Sequence, residues 1–172
     1  MSMASLMSLF RREQRAAEPL YRQIVARARQ PHWYLDGAVP DTLEGRFAIL
    51  ATLIALVDVR LENGTEQARF ASVSLAECFV ADMDAELRQL GTGDPVMGKK
   101  VGSLVGALGG RVGAWRRAIE GLESWDAVIG RSVYREAEAP ADAGDHVERQ
   151  LRLFWSALQG RTDEALLNGT LP

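Results

Sequence analysis

Apolar residues recur at three- and four-residue steps through this chain, and no run of alternating β-branched residues interrupts them, so the pattern predicts an all-α fold. Pro19 opens the first firm helix, with Leu20, Ile24 and Ala28 on one face, and Pro31 closes it. A loop with His32, Trp33 and Tyr34 leads to Pro40. Asp41 and Glu44 then stand in capping-box register, an acid followed three residues later by a glutamate. Leu43, Phe47, Leu50, Ile54, Val57 and Leu61 follow, while Ile49, Leu53 and Leu56 add a second apolar face. A helix apolar on two sides is predicted to be central, and Asn63-Gly64 ends it.

The next helix is expected from about Ser72 to Leu90, with Val73, Ala76, Phe79, Val80, Met83 and Leu87 turned inward. Gly91 and Gly93 suit a chain reversal, Asp94 offers an N-cap oxygen, and Pro95 fits a first helical position. The helix that follows carries Gly98, Gly102, Gly106 and Gly110. Glycine costs about 1 kcal/mol against alanine inside a helix, so a ridge of them needs a reason. Tight packing against another helix of the same chain is the first reading, and a docking groove for a partner's helix is the second. Ser124 caps a short helix reaching Tyr134. A polar link then gives way near Asp145 to a helix with Val147, Leu151, Phe154 and Leu158 on one face. Thr162 starts a final short helix that stops at Asn168-Gly169.

Charge changes this picture at two places. Arg11, Arg12, Arg15 and Arg22 make the N-terminal region basic, and with Leu6, Leu9 and Phe10 they define a short amphipathic leader over residues 1–18, ahead of a helical domain at 19–172. Such a leader suits a membrane surface, a ribosome, or an ordinary frayed terminus. The second place is the corner between Asp82 and Lys100. Lys99 and Lys100 are the only lysines of the chain and sit early in a helix, where the macrodipole disfavours cations. They form either a solvated surface pair or part of a contact with a partner.

At 172 residues, 47% hydrophobic and 25% charged, the chain has the size and composition of one soluble globular domain. The formal charge of −3 gives no general attraction for nucleic acid, and DNA is not an expected partner. The single cysteine, Cys78, excludes an internal disulfide. His32 and His146 lack further ligands at metal-site spacing, no nucleophile elbow is present, and GlyLysLys lacks the glycine pattern of a phosphate loop. No catalytic residue, metal or cofactor is assigned, and the expectation is a binding protein, not an enzyme.

Several stretches together resemble the ubiquinol–cytochrome c chaperone family, assembly factors of the respiratory bc1 complex. They are LYRQIVARARQP at 20–31, VPDTLEGRF at 39–47, ADMDAELRQLGTGD at 81–94, the lysine pair at 99–100 and GlyArg at 110–111. The resemblance is close from Leu20 to Trp115 and looser through SVY and LLNGTLP further on. The short stretch before the match and the near-exclusive use of arginine point to a bacterial, alphaproteobacterial member. The resemblance implies an all-α chaperone that binds newly made cytochrome b. It would work on the cytoplasmic side of the inner membrane (the matrix side in a mitochondrion), peripherally attached, with the ribosome as a further partner.

Arg46, Asp82, Asp84, Asp94, Lys99 and Lys100 are the residues expected to line the polar part of a client surface. The competing reading makes Asp94 a cap and Arg46 half of an ion pair. Two other functions stay open from sequence. One is a helical pocket for haem or quinone with His32 and Trp33 at its mouth. The other is an RNA or ribosome adaptor using the N-terminal arginines.

Overall fold

The computed structural model describes residues 17–89, 94–135 and 139–171, with backbone alone at 87 and 94–97. The leader arginines Arg11, Arg12 and Arg15 and the reversal at Gly91 and Gly93 lie outside these residues. So does the side chain of Asp94. All the regular structure described is helical, as the periodicity predicts.

The first described helix, α1, covers residues 17–28, and Leu20 and Ile24 are fully buried. Residues His32–Leu35 form one helical turn, α2, where the sequence suggested a loop. Its Trp33 is buried, and the indole N–H donates to the carbonyl of Arg27 at 3.0 Å.

Helix α3, Leu43–Glu62, is the centre of the molecule, and residues 48 to 57 are buried without a break. It packs against the later helices at Glu66–Gln89, Asp94–Ile119 and Ala141–Gln159 and the turn at Gly130–Tyr134, so its two apolar faces both find partners. Its N-cap is Thr42, whose hydroxyl accepts from the N–H of Gly45 at 3.2 Å. The cap expected at Asp41 is therefore shifted by one residue. Asp41 is drawn instead into an ion pair with Arg46, with Nε donating at 2.7 Å. Gly45 is required where it stands, because a Cβ there would lie 1.9 Å from the carbonyl oxygen of Pro40.

Helix α4 runs over Glu66–Gln89 and starts six residues before the predicted Ser72. The Thr65 hydroxyl accepts from the N–H of Ala68, and the Thr65 N–H donates to Asp163 at 2.6 Å, so the helix start is fixed from both sides. The buried face is Ala68, Ala71, Leu75, Phe79 and Met83. Val73, expected inside, is 61% exposed.

Helix α5, Asp94–Ile119, is inward at Leu108, Val112, Trp115 and Ala118. Ser124 caps α6, Trp125–Ile129, which runs into a π-helical turn at Gly130–Tyr134. Helix α7, Ala141–Gln159, begins four residues before the predicted Asp145 but buries the expected Val147, Leu151, Phe154 and Leu158. The last helix, α8, is Asp163–Leu167, capped by Thr162. It is tied to α3 by Arg60, which pairs with Asp163 at 2.9 Å and donates to the carbonyl of Arg161 at 2.7 Å. Arg60 and Asp163 are 13% and 15% exposed, and this shielding makes their pair a stronger tie than the surface pairs elsewhere.

Candidate functional site

Among the described residues, helix α5 is covered on one side only. Its inward residues lie on α3 and α4, whereas Gly98, Gly102, Gly106 and Gly110 are exposed. A Cβ added at any of the four would meet nothing within 4 Å. The expected tight packing of this ridge against another helix of the chain is thus corrected among the described residues. The reason lies in the phase of the helix: Leu104, Leu108, Val112 and Trp115 hold α5 to the core, and the glycines fall on the opposite side.

Beside the ridge, α4 and α5 enclose a groove of about 650 Å³. Its walls are chiefly apolar, with Val73, Val80, Val101 and Val105 among them, and Glu77 and Asp84 form a polar edge. Val73 and Val105 are 61% and 49% exposed, and one turn before Val73 on α4 Phe70 is 60% exposed. Large exposed apolar side chains beside a bare backbone ridge form a surface onto which another helix can pack closely.

The predicted polar residues divide into groups. Lys99 and Lys100 are exposed on the first turns of α5, and Asp84 lies at the groove edge, where it pairs with Arg88 at 2.9 Å. Asp82 points away, toward α1, and accepts a hydrogen bond from the Tyr21 hydroxyl at 2.7 Å. Burial and this carboxylate hold the Tyr21 proton well beyond the usual phenol range. Arg46 sits at the start of α3, ion-paired with Asp41, whose carboxyl it keeps below the usual range through their hydrogen bond. Arg22 pairs with Glu18 on the surface of α1. Cys78 is half-buried, and burial raises its thiol, which leaves little reactive thiolate.

The fold also joins the two histidines that the sequence kept apart. His32 Nδ1 lies 3.2 Å from His146 Nε2, His32 Nε2 lies 3.1 Å from Gln30 Oε1, and Arg149 reaches His146 Nδ1 at 3.2 Å. An arginine only donates, so His146 Nδ1 accepts and its Nε2–H donates to His32 Nδ1. His32 Nε2–H then donates to Gln30. This chain of bonds links α2 to α7. No group of three or more metal-ligating side chains occurs among the described residues. With Trp33 buried and His32 paired, the pocket mouth expected of a haem or quinone site does not form there.

Phe70, Val73 and Val105 are surface residues that sequence reasoning missed or placed in the core. The signal was available in Thr65: a cap there sets the inward phase at Ala68, Ala71 and Leu75 and leaves Phe70 and Val73 outside.

The chain belongs to the ubiquinol-cytochrome c chaperone family, whose model matches residues 35–171. It is similar to the crystal structure of the Cbp3 homolog from Brucella abortus, with 30% identity over 96% of this chain and 94% of that one and a TM-score of 0.79. Among curated proteins there is no match.

Proposed function

We propose that this protein is a non-catalytic chaperone of bc1 complex assembly that holds newly made cytochrome b against the α4–α5 face. The observation that carries this reading is the open glycine ridge of α5 beside the exposed Phe70, Val73 and Val105. An apolar client helix can approach the bare backbone at the glycines closely and bury its side chains in the groove. Family membership supports the class of client, and the open ridge supports this choice of surface. Asp84 at the groove edge and the exposed Lys99 and Lys100 on the first turns of α5 suit the charged loops that join apolar helices.

The basic segment ahead of α1 acts as a leader that brings the domain to the inner membrane surface and to the translating ribosome. None of the described helices is long and apolar enough to cross a membrane, in keeping with peripheral attachment.

The test is site-specific photocrosslinking during translation in the native host. A photoreactive side chain at Val73, Val105 or Gly106 is expected to capture cytochrome b, and one at Leu122 or Leu153 is not, although both are exposed apolar positions. Capture from Leu122 or Leu153 alone would move the client surface elsewhere.

A further inference from the structure

A second cavity, about 330 Å³, lies on the other side of α5, between that helix, the start of α3 and the end of α4. Leu43, Phe47, Met83, Leu104 and Ala107 give it apolar walls. Its volume is at the lower end of the range for small-molecule sites. The polar group that distinguishes it is Arg111. This guanidinium stacks over Phe47 with 5.2 Å to the ring centroid. It donates to two carbonyls, Ala107 at 3.3 Å and Ser132 at 3.1 Å. Its Nε is buried with no hydrogen-bond partner, and no carboxylate among the described residues pairs with it.

A charge half withdrawn from water without a counter-ion is an unfavourable arrangement that the arrival of an anion relieves. Two further cations, Arg135 and Lys100, border the cavity against two acids, Glu44 and Glu86, so the lining as a whole carries one excess positive charge. Arg135 is engaged with Glu44 at 3.6 Å, and burial first, then the charge of Arg135, weaken the hold of Arg111 on its proton. A carboxylate beside the guanidinium offsets both.

We propose that this cavity is a binding site for an amphiphilic monocarboxylate, a single carboxylate on an apolar body of about ten carbons, held by Arg111. The carboxylate pairs with the Arg111 guanidinium, and the hydrocarbon lies on Phe47, Met83 and Leu104. The site is separate from the glycine ridge, and neither it nor its test depends on the identity of the client.

The experiment is calorimetric titration of the purified full-length protein with decanoate, decanol and decyltrimethylammonium, each below its micelle concentration. A charge-assisted hydrogen bond at a shielded site should favour decanoate over decanol by about tenfold or more. Decyltrimethylammonium should bind more weakly than either. In Arg111→Met the preference for decanoate should vanish while decanol still binds. Ala107→Phe keeps Arg111 and fills the cavity from the preceding turn of α5, so it should abolish binding of both. Thermal melts establish that each variant is folded. Equal binding of decanoate and decanol to the native protein would overturn the proposal. So would decanoate binding that survives Ala107→Phe unchanged.

Discussion

Gly45 and Asp58 show how much a single position can carry in α3. A methyl group at residue 45 would run into the carbonyl of Pro40, which is backbone and cannot step aside. Gly45→Ala should therefore cost about 3 kcal/mol or more, read from urea unfolding. Asp58 poses the opposite problem. Burial, reinforced by Glu62, raises its carboxyl to about 6, with Ser72 and Arg116 pulling it partly back. The folded state then holds a proton that the unfolded chain releases near pH 4. Stability is lost as pH rises from about 4 to about 6, and the penalty stays in full at neutral pH. Asp58→Asn should add about 1 to 2 kcal/mol at pH 7.5 and nothing near pH 4. A variant no more stable than the native protein at pH 7.5 would contradict this.

His32 works in the other direction. Burial first, and then His146, lower its proton affinity below that of a free imidazole. The unfolded chain takes up the proton more readily, so this contribution to stability is lost as pH falls through about 6.5. His32→Gln should flatten that acid-side loss. In the native protein the environment of Trp33, which stacks beside His32 with ring centroids 4.3 Å apart, should change over the same interval. Tryptophan fluorescence against pH reads both effects.

At the scale of elements, the pattern of the chain reveals helices better than it reveals their rotation. The centrality of α3 was legible because its apolar positions leave no polar side for water. Helix α4 was read correctly at Phe79 and Met83 but wrongly at Val73, which with Ala76 and Val80 repeats at the same steps as Leu75, Phe79 and Met83. Periodicity alone does not choose between two parallel stripes, and the choice is made by the Thr65 cap and its hold on Asp163. The His32–His146 pair was illegible for a different reason. It joins residues 114 apart in sequence, and only the docking of α7 beside α2 brings them within 3.2 Å.

The glycines of α5 were legible as a ridge, but the occupant of that ridge was not. Since each added methyl meets open space, Gly102→Ala and Gly106→Ala should each stabilise the isolated protein by about 0.5 to 1 kcal/mol. If a client helix seats there, the same substitutions should reduce bc1 content in the host membrane despite the gain in stability. Stabilisation with undiminished bc1 would remove the ridge from the working surface. Gly113 is the less informative position because the Arg117 side chain already lies 3.8 Å from where its Cβ would be.

For the molecule as a whole, α3 and its neighbours form the buried core, and among the described residues one face of α5 stays open. That division suits a protein that holds an incomplete membrane subunit: burial in the core supplies stability, and the binding surface is kept out of it. The basic leader should govern where this happens. Removing residues 1–15, which leaves the buried Ala17 in place, is expected to shift the protein from the membrane fraction to the soluble one. In the native protein, high salt should release it in the same way, and resistance to carbonate extraction would contradict peripheral attachment.

Deleting the gene in its native host and recording the reduced-minus-oxidised spectrum of the membranes tests the assembly role most directly. The strain should lose b-type haem absorbance and bc1 complex together. A native copy should restore both, whereas a Lys99→Glu/Lys100→Glu copy, made at equal level, should not. Membranes of the deletion strain with normal b-haem and normal bc1 content would contradict the assembly role.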